Sequence, residues 1–346
     1  MKNRWCMRRC GFKMTLSSLG VFGGCLPSSA WAHVKWFAAY DVADQPRALA
    51  DVCSSAFFHL VVWSVLALWL GSLIERTALG ETLLRSIDRL CSAFQPRTED
   101  LFRAATAIFF TALWAIGGII LTPELKTQSP LIPWLQAAIA IGMFWRSTLV
   151  LSAMGIVALF AVGIASYGTF HMMDYPIFLG LAAYLALTGL QKKLFHLRPL
   201  DVARWGAGIT LMWASVEKWA YPDWTYPLLQ THAKLTMGLD PSFYMTAAGV
   251  VEFALAFSLV WTPLVRRIGA IALAAMFTSA VLEFGKIDAI GHLMIVVILL
   301  AVIVDDEVPV ARRPPLLAPA CYCAALIAFI ALYYGTHAII FGTAHT

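Results

Sequence analysis

Residues 282–304 read LEFGKIDAIGHLMIVVILLAVIV. From Ile287 to Val304 the run is apolar except for Asp288 and His292 near its start. Its length approaches the ~20 residues a helix needs to cross ~30 Å of hydrocarbon. Asp288 and His292 are four apart, so a helix puts both side chains on one face. The stretch therefore predicts a membrane-spanning helix with a polar pair at one end.

Similar apolar stretches recur at 53–74, 104–122, 130–145, 147–166, 174–190, 203–221, 243–262, 266–284 and 317–341. Sixty per cent of the residues are hydrophobic and only 13% are charged, too few to clothe a water-soluble surface. The expectation is an all-α polytopic membrane protein with about ten transmembrane helices and the lipid bilayer as its partner. The net charge of +5 sits in short loops and argues for no nucleic-acid partner. Cys53, Cys91, Cys321 and Cys323 match no zinc or thioredoxin spacing.

The chain opens with a basic segment, MKNRWCMRRCGFK, then the apolar MTLSSLGVFGGCL, then Pro27 and Ala30-Trp31-Ala32. That is the order of a secretory signal peptide, with an apolar core too short to span a bilayer. It predicts cleavage after Ala32, which makes His33 the mature N-terminus. Cys25 is a poor lipobox match, and Arg8-Arg9 lacks the apolar follow-on of a twin-arginine signal. The loops after odd-numbered spans hold fourteen Lys and Arg, the opposite loops six, Lys35 among them. Cytoplasmic loops carry the excess. Both mature termini are thus expected outside the cytoplasm, across an inner (plasma) membrane.

Residues 97–190 and 198–304 read as two copies of one four-helix unit. RTEDLFRAATAIFFTALW aligns with RPLDVARWGAGITLMWAS, placing Arg97, Asp100 and Arg103 on Arg198, Asp201 and Arg204. SYGTFHMMDYPIFL resembles LEFGKIDAIGHL in the second copy. An even number of helices per copy makes the copies parallel through the membrane, as in some transporters. The expected organisation is a signal peptide at 1–32, an outer segment with the first span and a cytoplasmic loop at 33–96, repeat 1 at 97–197, repeat 2 at 198–305, and a last span with an outer C-terminus at 306–346.

The second copy resembles the DoxX-like family of four-helix membrane proteins. The likeness lies in GITLMWASVEKWAYPDWTYPLL, in GVVEFALAFSLV and in the basic turn TPLVRRIGAIALA. It implies a link to membrane sulfur and quinone oxidoreductases, such as the DoxX and DoxD subunits of thiosulfate:quinone oxidoreductase. The duplication, the flanking helices and the His33-led terminus depart from that family.

Ionisable groups inside a membrane cost about 2.5–3.5 kcal/mol each, so they are candidate site residues. Glu252 lies ~13 Å into its helix, near the midplane. Glu217, Lys218, Glu283, Lys286, Asp288 and His292 are expected to share the outer half of the second bundle with it. In the first copy, Ile116 and Gly117 stand at the positions of Glu217 and Lys218, and only His171 and Asp174 persist. The second copy is thus expected to carry the site. A purely structural role, Glu252 pairing with Lys218 or His292 to fix helix register, competes with chemistry. His59 reads as a core histidine, and Trp134, Trp213, Trp219 and Trp224 as an interfacial aromatic belt.

The outer loop AYPDWTYPLLQTHAKLTMGLDPSF could cap the polar cluster and form a pocket for a flat ring such as a quinone, with Asp240-Pro241 starting the next helix. No nucleotide, haem-attachment or zinc-protease motif occurs. Three functions compete: an accessory or quinone-interacting subunit of a membrane oxidoreductase; a transporter or channel using Glu252, Glu217 and His292; and copper handling by His33 with a ligand such as His171.

Overall fold

The computed structural model describes residues 34–191, 197–306 and 313–342. Predicted His33 lies outside them. Among the described residues the chain is all-helical, with one isolated bridge between Ile119 and Lys126. The α-helices are α1 (Leu49–Val52), α2 (Ser55–Ile74), α3 (Ala78–Cys91), α4 (Thr98–Ile116), α5 (Leu131–Gly142), α6 (Leu149–Met172), α7 (Pro176–Leu190), α8 (Pro199–Ala220), α9 (Tyr226–Thr231), α10 (Pro241–Ser258), α11 (Pro263–Phe284), α12 (Lys286–Val304) and α13 (Leu317–Phe341). Among the described residues, five are long and apolar enough to cross a membrane: α2, α6 with the turn before it, α11, α12 and α13. The protein is an all-α membrane protein.

Local chemistry sets the helix starts. Proline, whose missing N–H costs nothing in a first turn, opens α7, α8, α10 and α11. Ser54 caps α2 by accepting from the Phe57 N–H, and Asp240 caps α10 by accepting from that of Phe243. Two elements differ from the sequence expectation. The loop after the first span contains α3, pinned to α11 by an ion pair between Asp88 and Arg267 at 2.7 Å. The stretch expected at 104–122 is helical from Thr98 to Ile116, because Gly117 at φ 69° ends it and the chain turns back.

The helices pack as two sets side by side. α4 lies on α5, α5 on α6 and α6 on α7, while Phe102 of α4 stacks on Tyr184 of α7 at 3.9 Å. α8, α10, α11 and α12 form a second ring, closed by α12 on α8. α7 on α8 and α4 on α12 join the sets; α2 and α13 pack across α10 and each other. At the end rich in arginine, Arg103 donates to the carbonyl of Met143, which terminates α5, and Arg204 to that of Leu259, which terminates α10, both at 2.9 Å. At the opposite end, hereafter the Lys35 end, Gly168 breaks α6 at φ 83° and Gly285 separates α11 from α12 at φ 75°. A side chain at such φ is strained, so each break is written by glycine.

Candidate functional site

The site is built around a residue the sequence reading counted only as a loop charge. Val34–Trp36 form a single 3-10 turn that enters the bundle, and Lys35 is 5% exposed. Its Nζ lies 2.5 Å from Asp174 Oδ2 and 2.5 Å from Glu217 Oε2. Asp174 sits in the turn after α6, six residues beyond the Gly168 break, and Glu217 in the last turn of α8. The two carboxylates come from different helix sets. The rings of Tyr40 and Trp224 each lie 5.5 Å from the same ammonium, close enough for cation–π attraction.

Neighbours along a helix point about 100° apart. Glu217 therefore faces Lys35 while Lys218 turns to α10 and meets Glu252 Oε1 at 3.2 Å. On α12, His292 Nδ1 lies 2.9 Å from Asp288 Oδ2, the i, i+4 pairing the sequence predicts. The His292 ring is held between Trp36, at 4.7 Å between centroids, and Phe277, at 4.6 Å. The indole of Trp36 occupies the space over Gly291 that a Cβ would need. Glu217, Lys218, Glu252 and His292 line one cavity of about 80 Å³, walled otherwise by apolar and aromatic side chains including Trp36, Tyr244 and Phe277.

A second polar group lies near Lys35. Glu124, in the turn after α4, is buried, and the Tyr167 hydroxyl donates to the carbonyls of Glu124 and Lys126, at 3.3 and 2.9 Å. Burial raises the Glu124 carboxyl to about 7, partly countered by the positive charge of Lys35. Burial opposes the charged form of Lys35, but Asp174 and Glu217 outweigh it and hold its pKa above the ordinary lysine range. The Tyr40 phenol is pushed above its usual range by burial and by Glu124.

The structure thus brings together Glu217, Lys218, Glu252, Asp288 and His292 from the second set. It adds Asp174 from the first, so the cluster draws on both helix sets. Glu283 and Lys286 do not join it; both are exposed. Phe277, Ala280 and Phe284 mark the inward face of α11, and Glu283 points away from it to His232, 3.0 Å distant. His171 is buried but packs against the rings of Tyr40 and Tyr167, at 5.6 and 5.3 Å, and among the described residues no three His, Cys, Asp or Glu converge as metal ligands. His59 is exposed on α2 rather than buried in the core. Trp213, Trp219 and Trp224 are packed inside the protein, and only Trp134 of the expected belt is exposed.

The loop after α8 does cover the cavity: Trp224, Leu228, Leu229 and Leu235 line it, and Asp240 starts α10 as expected. Lys35, Trp36 and Glu124 escaped the sequence reading. Their one local signal is a lysine among aromatics, VKWF at 34–37; the rest is long-range packing. Set against family models, curated proteins and solved structures, the chain matches none of them.

Proposed function

We propose that the protein is a DoxX-like inner-membrane subunit of a redox system whose cavity at the Lys35 end receives the ring of a quinone. One observation carries this reading: a largely apolar, aromatic cavity on which Glu217, Lys218, Glu252 and His292 converge. Ligand sites have this make-up, apolar walls with a few placed polar groups. At about 80 Å³ the cavity holds a few waters, so a quinone ring enters by displacing Trp36 or the short helices of the 222–236 loop.

In the same reading, α2, α4 to α8 and α10 to α13, without the short α9, make ten crossings, and the arginine-rich end faces the cytoplasm. Two parallel copies of one four-helix unit are supported by the matching bonds of Arg103 and Arg204 and by the matching breaks at Gly168 and Gly285. Transport across the membrane is disfavoured by α12. Beyond His292 it has no polar side chain until Asp305, about 18 Å of apolar helix.

The test is equilibrium binding of short-tailed benzoquinone and naphthoquinone to the purified protein in nanodiscs. Saturable binding is expected, weakened at least about tenfold in Glu252→Gln, the value of one lost hydrogen bond to a charged group. Absence of saturable binding to the folded wild type would sink the reading.

A further inference from the structure

The buried charges at the Lys35 end do not balance. Five carboxyl groups, of Glu124, Asp174, Glu217, Glu252 and Asp288, are each 9% exposed or less. Two ammonium groups, of Lys35 and Lys218, face them. An uncompensated charge in such a place costs several kcal/mol, and taking up a proton is the cheaper state. His292 can accept one proton beside Asp288, which still leaves carboxyl groups in excess. A proton supplies the missing charge without a coordination shell, which fits a cluster where, among the described residues, no three of these side chains are arranged around a metal position.

The same groups form a line. Glu217 borders the cavity and Lys35 bridges it to Asp174; Glu124, whose buried carboxyl feels the charges of both Lys35 and Asp174, sits in the turn that reaches the surface at exposed Lys126. Tyr40 from the N-terminal segment, and Tyr167 and His171 from α6, complete the surroundings of Glu124 and Asp174. On the other side of the cavity, α12 runs apolar toward the arginine-rich end.

We propose that Glu217, Lys35, Asp174 and Glu124 form a proton store and exit that connects the cavity to the membrane face at the Lys35 end, with at least one carboxyl un-ionised at neutral pH. A proton leaving a ligand in the cavity is taken by a Glu217 carboxylate oxygen. Lys35, bonded to both carboxylates, hands one of its own protons to Asp174 and is restored by the proton on Glu217; Asp174 passes that proton toward Glu124, which releases one to water at the turn. The Glu124 carboxyl, raised by burial to about 7, suits the terminal position because it exchanges near neutrality. The proposal rests on the quinone reading only for what the protons serve; their storage exists without a ligand.

Infrared spectroscopy of the purified protein in nanodiscs, without quinone, tests it. The expected result is a carbonyl-stretch band of un-ionised carboxyl that shifts in D₂O and shrinks from mildly acidic to mildly alkaline pH. Glu124→Gln should remove one component of it and Asp174→Asn should alter the remainder. A wild-type protein with no such band at neutral pH overturns the proposal, as does a band indifferent to both substitutions. If either variant fails to fold, the wild-type band and its titration decide. Quinone binding without the band overturns the store alone, and the band without quinone binding overturns the quinone reading alone.

Discussion

Trp36 lies over Gly291, in the space a side chain at that position would fill, and from there its indole packs on His292 of the same helix. The N-terminal segment is thus held in the bundle by one ring on one bare stretch of α12 as well as by the Lys35 ion pairs. Gly291→Ala should expel the indole. The expected signs are a change in tryptophan fluorescence, faster proteolysis near residue 36, and a stability loss of about 1–3 kcal/mol, the usual cost of overpacking.

Removing the Lys35 ammonium leaves Asp174 and Glu217 facing each other without their shared cation. Lys35→Met should lower stability in detergent by about 3–5 kcal/mol, because a buried pair broken on one side strands the other charge. Combining it with Asp174→Asn and Glu217→Gln should recover most of that loss. A triple variant as unstable as the single one would show that packing, not charge, holds the segment.

Glu124 gives a pH dependence of defined sign. Its folded pKa, about 7, is above the unfolded carboxylate value, so the folded state keeps a proton that the unfolded chain has lost. Its contribution to stability therefore falls as pH rises from the ordinary carboxylate range to about 7, by at most ~1.4 kcal/mol per unit, and is level above that. Thermal unfolding of Glu124→Gln across that window should lack this slope. Parallel curves for the variant and the wild type would count against the assignment.

The glycine breaks predict matched costs. Alanine at Gly168 or at Gly285, both at positive φ with open space around them, should destabilise by about 1–2 kcal/mol through backbone strain alone. Unfolding of the two single variants measures it; similar losses fit equivalent positions in two copies.

For the membrane arrangement, a phosphatase reporter fused after Thr346 should be active and a cytoplasm-dependent one silent. Mass spectrometry of the mature protein should find a chain beginning His33-Val34-Lys35. An intact Met1 would remove the free α-amino group that, with its imidazole, makes His33 a copper chelate.

The long apolar helices, the bounds of α4 aside, were legible because each is written within one window of sequence: the run from Leu317 to Phe341 begins and ends where its hydropathy does. Asp288 and His292 were legible for the same reason, four residues apart on one helix. Lys35 and Asp174 are 139 residues apart, and nothing local to either announces the other. Glu283 misled because depth along a helix can be counted from sequence, whereas the direction it faces depends on neighbours that sequence periodicity does not name. The three inward tryptophans show the same limit: an aromatic near a helix end suits a lipid surface or a packed core equally well.

Lys35 also sets an order of events during synthesis. It leaves the ribosome long before Asp174 and Glu217, and neither partner is in place until α6 and α8 have been inserted. Through that interval the segment around Lys35 waits with an unpaired charge and an unpacked indole. It can dock only once both helix sets stand side by side. These early-made residues are thus late to settle, like a keystone set after the arch, and protection of Trp36 from protease dates the completion of assembly.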